Sequence, residues 1–197
     1  VVAAHGPCFI TTPPQVIDGK FYLFGGLTRG MGKVQIYDPA LNRWTHGANM
    51  PYAGGSVASA LIGGKVYVAG GIVGSTTVNS AAVYDPLADS WAMLPPMPVG
   101  VNHAAAATDG QKFYIFGGRD GGNTVSNGFD YVQIYDPAAN SWQSSSQSGS
   151  TLEPLPQARR RHGQSRLRGW RVLYHRRRDR NRRGRDGDEC LRPGRYL

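Results

Sequence analysis

The chain has 197 residues and is 40% hydrophobic, enough for one ordinary domain with a buried core. No stretch is apolar for long enough to span a membrane as a helix. The net charge of +9 suggests a nucleic-acid or membrane-surface partner until it is divided along the chain. Residues 1–157 hold seven Lys/Arg against nine Asp/Glu, whereas residues 158–197 hold fifteen Arg, no Lys and four acids. The basicity therefore belongs to the last forty residues alone. Cys8 and Cys190 stand at opposite ends, so neither a disulfide framework nor a CxxC metal pair is available. The first residues, Val1-Val2-Ala3-Ala4-His5-Gly6, lack an initiator Met, a basic n-region and a signal-length apolar run, as a processed or truncated terminus would. They indicate no compartment.

In chain order, residues 1–15 read as an irregular segment with a degenerate first strand, since Thr12-Pro13-Pro14 interrupts it and Pro cannot donate to a central ladder. The next run, Lys20-Phe21-Tyr22-Leu23-Phe24, follows the turn signal Asp18-Gly19 and ends at Gly25-Gly26. Lys65-Val66-Tyr67-Val68-Ala69 stands likewise between Gly63-Gly64 and Gly70-Gly71, and Lys112-Phe113-Tyr114-Ile115-Phe116 between Asp109-Gly110 and Gly117-Gly118. Their length and their aromatic and β-branched content predict strands. Glycine pairs in such a setting mark positive φ or close backbone approach.

Tyr-Asp-Pro then recurs at Tyr37-Asp38-Pro39, Tyr84-Asp85-Pro86 and Tyr135-Asp136-Pro137, with Trp44, Trp91 and Trp142 seven residues past each Tyr. The Trp-to-Trp periods are 47 and 51 residues. Asp caps the turn through its side chain, Pro presets φ, and Asn42, Asp89 or Asn140 tolerates the left-handed conformation. A strand ending in Tyr, this turn and a strand starting near Trp make a hairpin. After each Trp come Met50-Pro51, Met97-Pro98 or Leu155-Pro156, and then a small-residue strand such as Ser56 to Ile62. The unit therefore has four short strands.

Three concordant copies of di-glycine, Tyr and Trp at a period near 50 resemble the kelch family. The resemblance implies an all-β fold, a kelch-type β-propeller fragment of about three four-stranded blades. The blades read as residues 16–51, 52–98 and 99–156, with 157–197 an Arg-rich tail that is irregular or disordered. It also implies structural roles for Gly25, Gly26, Tyr37, Trp44, Gly70, Gly71, Tyr84, Trp91, Gly117, Gly118, Tyr135 and Trp142, with Trp and Tyr packing between blades. Three blades are fewer than a closed ring holds, so open faces and edges, and with them association or poor stability, are expected.

The tail reads as more than a solvated or phosphate-binding arm. Leu155-Pro156-Gln157-Ala158-Arg159 looks like the start of a fourth kelch unit. If the Arg codons are CGN and each codon is read one base on, positions 170–177 allow Gly-Glu-Phe-Tyr-Ile-Ile-Gly-Gly. This matches Gln111-Lys112-Phe113-Tyr114-Ile115-Phe116-Gly117-Gly118. Pro156 to position 177 is twenty-one residues, against twenty from Pro51 to Gly71 and from Pro98 to Gly118. Residues 192–197, shifted, allow Asp-Arg-Val-Asp-Ile-Tyr. The tail is thus expected to be a fourth repeat out of frame, and the chain a truncated ring.

Little catalytic chemistry is written in the residues. The histidines, His5, His46, His103, His162 and His175, show no ligand spacing, and no nucleophile elbow, Walker A loop or Rossmann fingerprint occurs. His103, near a strand start, reads as a packed or turn residue. No catalytic residue, metal or cofactor is expected. Function is expected on the variable loops 27–33, 72–79 and 119–129, which in the kelch family often bind partner proteins. Arg29, Arg119, Asp120 and Asn123 are the candidate partner-binding residues there. The expected role is a non-catalytic binding or scaffold module for protein, with carbohydrate a second class of partner and nucleic acid disfavoured. Two alternatives remain open: a piece of a kelch-type carbohydrate-active or oxidase enzyme, and nucleic-acid binding through the Arg-rich tail.

Overall fold

The computed structural model describes residues 12–26, 32–121, 128–158, 165–168 and 171–174. The described residues form strands and turns only, and none of their segments is a helix long and apolar enough to cross a membrane.

Blade 1 is the antiparallel sheet β1 (Gln15–Ile17), β2 (Lys20–Phe24), β3 (Val34–Asp38) and β4 (Arg43–Gly47), paired in chain order. β1 begins only after Pro13-Pro14 and is three residues long, as expected where proline removes ladder donors. Blade 2 is β5 (Ala58–Ile62), β6 (Lys65–Ala69), β9 (Ala81–Asp85) and β10 (Ser90–Leu94). A small hairpin, β7 (Ile72–Val73) with β8 (Thr76–Thr77), projects from blade 2 between β6 and β9, so the 72–79 loop is itself paired. Blade 3 is β11 (Ala105–Thr108), β12 (Phe113–Phe116), β13 (Val132–Asp136) and β14 (Ser141–Ser144).

Two further strands lie in the tail, β15 (Ser165–Arg168) and β16 (Arg171–Tyr174), which pair with each other. For these eight residues the expectation of an irregular tail is corrected. β15 lies beside β11 as β11 lies beside β5. The hairpin thus follows blade 3 in the order of first strands.

The turn chemistry follows the repeat. Asp38 Oδ1 accepts from Ala40 N (3.0 Å) and Leu41 N (3.2 Å), and Asp85 and Asp136 do the same for Leu87 and Ala138, each at 3.0 Å. Asn42, Asp89 and Asn140 take φ of 46°, 44° and 47°, the left-handed conformation expected of them. Lys20, Lys65 and Lys112 pair with the Asp of their own blade at 3.6, 3.0 and 3.0 Å. These pairs are partly exposed and contribute little to stability. The glycine pairs sit at positive φ, and a Cβ on Gly25 would lie 2.5 Å from Gly54 O. Here the glycine admits the neighbouring backbone.

The core lies between blades. Phe24, Tyr22 and Val34 of blade 1 bury against Val66, Val68, Ala82 and Tyr84 of blade 2. Ala58, Ala60 and Ala69 of blade 2 bury against Phe113, Ile115 and Tyr135 of blade 3. One face of each β-strand thus packs forward and the other back, because successive side chains alternate across the sheet.

Candidate functional site

The repeat fixes a baseline against which a functional position stands out. In blade 2 the residue before the first strand region, Gly55, pairs its backbone with Ile72, just past Gly70-Gly71 (Gly55 N to Ile72 O 2.9 Å; Ile72 N to Gly55 O 2.8 Å). Blade 3 repeats the same exchange between Asn102 and Arg119, 2.9 Å both ways. The backbone is the same, but Gly and Ile have become Asn and Arg. The counterpart of Arg119 in blade 1, Leu27, lies outside the described residues.

Asn102 is fully buried and serves as the hub of this site. Its Nδ2 donates to Thr77 Oγ1 (2.6 Å) on the β7–β8 hairpin and to Gly121 O (3.0 Å). Those two acceptors fix the amide, so Oδ1 accepts from Arg119 Nε (3.2 Å) and from His103 Nδ1 (2.7 Å). Gly121 N donates to Thr77 Oγ1 (2.9 Å) and to Asp120 Oδ1 (2.7 Å), which locks the start of the loop. Blade 2, the linker and blade 3 are thereby tied to one side chain.

With Nδ1 donating, a neutral His103 keeps Nε2 as an acceptor, 3.3 Å from Ser56 Oγ. Ser56, His103 and Asn102 stand in the order of a nucleophile, a base and an orienting group. Ser56 is only 2% exposed at the boundary of blades 2 and 3, so a substrate carbonyl has no approach to its hydroxyl. Backbone His103 N also donates to Ser56 O (3.2 Å), and both residues take left-handed φ (53° and 54°). The set braces two blades.

Arg119 is different because it is half-buried and held by its Nε. Its Nη2 stands 3.5 Å from both ring nitrogens of His103, while Nη1 has no partner among the described residues. The guanidinium is fixed at its root and presents donors at its tip, a geometry suited to carboxylate or phosphate. Beside it Asp120 is exposed. Of the four candidate residues, the structure brings Arg119 and Asp120 together, and Arg29 and Asn123 lie outside the described residues. Asn102, Thr77 and the bracing role of His103 are not signalled by residue type. Aligning Gly55 and Ile72 with Asn102 and Arg119 is what reveals them.

The repeat tryptophans mark the blade boundaries. Trp91 Nε1 donates to Ala48 O of blade 1 (2.9 Å), and Trp142 Nε1 donates to Pro95 O of blade 2 (2.8 Å). Each Trp packs on the Tyr opposite it, with ring centroids 5.0 Å apart for Tyr84 and Trp91 and 5.1 Å for Tyr135 and Trp142. Asp89 Oδ1 accepts Ala48 N (2.7 Å) and the Tyr84 hydroxyl, so Ala48 is gripped by both its N–H and its C=O. The Ala48 N–H, and after it the Tyr84 hydroxyl, hold the Asp89 carboxyl below the usual carboxylate range.

Four-stranded antiparallel sheets packed face to face through repeat Trp and Tyr residues define a kelch-type β-propeller architecture. A family model described as the KLHDC2/KLHL20/DRC7 Kelch-repeats domain matches residues 10–173, and the chain belongs to that family. It is 36% identical over 66 residues to the Kelch-like protein terF of Aspergillus terreus (strain NIH 2624 / FGSC A1156), a match covering 29% of this chain and 14% of the relative. The chain thus spans a small part of the length of that curated relative. Its fold is similar to a solved structure described as "Structure of YjhT", with a TM-score of 0.59 at 20% identity, over 73% of this chain and 53% of the other.

Proposed function

We propose that the chain is a non-catalytic binding module that captures a protein partner at the loops around Arg119, through an acidic group on that partner. The observation that carries this reading is the substitution of Asn102 and Arg119 into a backbone exchange that blade 2 makes with Gly55 and Ile72. Gly and Ile suffice for the backbone exchange itself; the buried Asn adds a brace between the blades and holds the Arg by its Nε, which leaves the tip of the guanidinium for a partner. Burying Asn102 with all its polar atoms bonded makes Arg119 rigid, which lowers the entropy lost on binding.

The experiment is an array of short peptides, acidic, neutral and basic, probed with the purified chain and with its Arg119→Ala variant. Retained peptides should be enriched in Asp, Glu or a free C-terminal carboxylate, and the variant should lose them. Retention that ignores peptide charge, or survives Arg119→Ala, would overturn the reading. Retention of oligosaccharide or RNA probes in place of peptides would favour the carbohydrate or nucleic-acid alternatives.

A further inference from the structure

The hydroxyl of Thr77, half-buried on β8, has a single role left to it. A threonine hydroxyl carries two acceptor lone pairs and one O–H. Asn102 Nδ2 donates to Thr77 Oγ1 at 2.6 Å and Gly121 N donates to it at 2.9 Å, so both lone pairs are filled. Neither group can accept in return. A backbone N–H only donates, and the Asn102 amide is fixed from its other end, where the donor Arg119 Nε lies 3.2 Å from Oδ1. The Thr77 O–H must therefore be donated elsewhere, and no described residue supplies its acceptor. Receiving two N–H groups also polarises the oxygen, which makes its O–H a stronger donor. Arg119 is the complement of this arrangement. Its Nε is spent on Asn102 and its Nη2 faces the His103 ring, so Nη1 is its unengaged nitrogen among the described residues. A carboxylate that meets Nη1 through one oxygen keeps the other oxygen open to a second donor. Thr77 and Arg119 are joined through the two ends of one buried amide, which sets a donor of blade 2 at a fixed spacing from a donor of blade 3.

We infer, on the reading that Arg119 captures an acidic group of a protein partner, that Thr77 is the second donor of that site. One carboxylate of the partner is held by Arg119 on one oxygen and by the Thr77 hydroxyl on the other, and so bridges the β7–β8 hairpin and the start of the 119–129 loop. This narrows the ligand. A side-chain amide offers one oxygen where the site has two donors, and a base offers none. Asp120, exposed one residue on with its Oδ1 on Gly121 N, opposes a second negative charge, so a carboxylate suits the site better than a phosphomonoester.

Fluorescence anisotropy of a labelled acidic peptide retained on the array tests this, titrated with the parent, Thr77→Val, Arg119→Ala and the double variant. Thr77→Val keeps the branched shape and removes the hydroxyl. It should weaken binding about tenfold in the parent and by about threefold or more again in the Arg119→Ala background. Thr77→Ser, which keeps the hydroxyl, should bind within about twofold of the parent. A hydroxyl that only braces Asn102 acts through Arg119, and has nothing left to position once Arg119 is gone. A loss confined to chains that hold Arg119, or a Thr77→Ser loss equal to that of Thr77→Val, would overturn the proposal and leave the Arg119 reading standing. Equal affinity of the parent and Arg119→Ala would overturn that reading, and the proposal with it. Tighter binding of the same peptide with phosphoserine in place of its acidic residue would overturn the choice of carboxylate. Should Thr77→Val fail to melt cooperatively, Thr77→Ala measured in the same way takes its place.

Discussion

Ala48 is held at two points by blade 2, and this makes a sharp prediction about cooperativity between Trp91 and Asp89. Trp91→Phe removes the donor to Ala48 O and trims the contacts with Phe24 and Tyr84, whose centroids lie 5.9 and 5.0 Å away. The lost hydrogen bond costs about 1 kcal/mol and the weakened aromatic contacts about another 0.5–1.5 kcal/mol. Asp89→Ala leaves both Ala48 N and the hydroxyl of the buried Tyr84 without their acceptor. Stranding such groups costs about 1–3 kcal/mol. Either change releases the residue that the other side chain still holds, so the second loss should be smaller than the first. The double variant is therefore expected to fall short of the sum by about 0.5–3 kcal/mol, the range for groups sharing a partner. Guanidinium unfolding followed by far-UV circular dichroism of the parent, both single variants and the double variant measures this. Additivity to within about 0.3–0.5 kcal/mol would refute the shared grip and leave two independent contacts.

Gly70→Ala should destabilise the chain by more than about 2 kcal/mol, because φ is +67° and the added Cβ would collide with Val101 O. Gly63→Ala, at φ +56° with nothing within 4 Å, should cost only the backbone preference of about 1–2 kcal/mol, and thermal melts of the pair compare them. Asp89 has a depressed carboxyl pKa, so its contribution is present above the unfolded value of about 3.9 and lost as pH falls through the lower folded value. Melts between neutral and strongly acidic pH should show a steeper loss for the parent than for Asp89→Asn. We propose, finally, that residues 157–197 are a fourth repeat read one base out of frame. Sequencing the DNA across codons 157–162 against close relatives should show a one-base slip, and a restored chain should melt higher; finding no slip against those relatives would end the idea.

The fold was legible because its signals are local and repeated. Gly-Gly at positive φ, Asp at a turn followed by a left-handed Asn or Asp, and Tyr opposite Trp each act within a few residues, and each occurs three times. What a boundary does with those residues was less legible. Trp91 and Trp142 read as packing residues, yet their indole N–H bonds to the preceding blade depend on a residue 43 or 47 positions back. The β7–β8 hairpin was hidden because two-residue strands carry no period. At the site, Arg119 and Asp120 stood out as charges on a variable loop, whereas Asn102 lay inside a linker and gained its role only through Thr77, Gly121 and Arg119. The tail gave a mixed signal. Aligned on the strand end, Arg171 of β16 takes the register position of Phe21, Val66 and Phe113, where the other blades are apolar.

Fluorescence anisotropy of a labelled acidic peptide retained on the array tests the binding role most directly, titrated with the parent, Arg119→Lys and Arg119→Ala. A charge-assisted contact of about 1.5–3 kcal/mol corresponds to roughly 10- to 150-fold in affinity. Arg119→Ala should weaken binding by that factor while the chain still melts cooperatively, its stability lowered by no more than the roughly 1 kcal/mol of the lost hydrogen bond to Asn102, and Arg119→Lys should fall between. Equal affinity for the parent and Arg119→Ala would contradict the account.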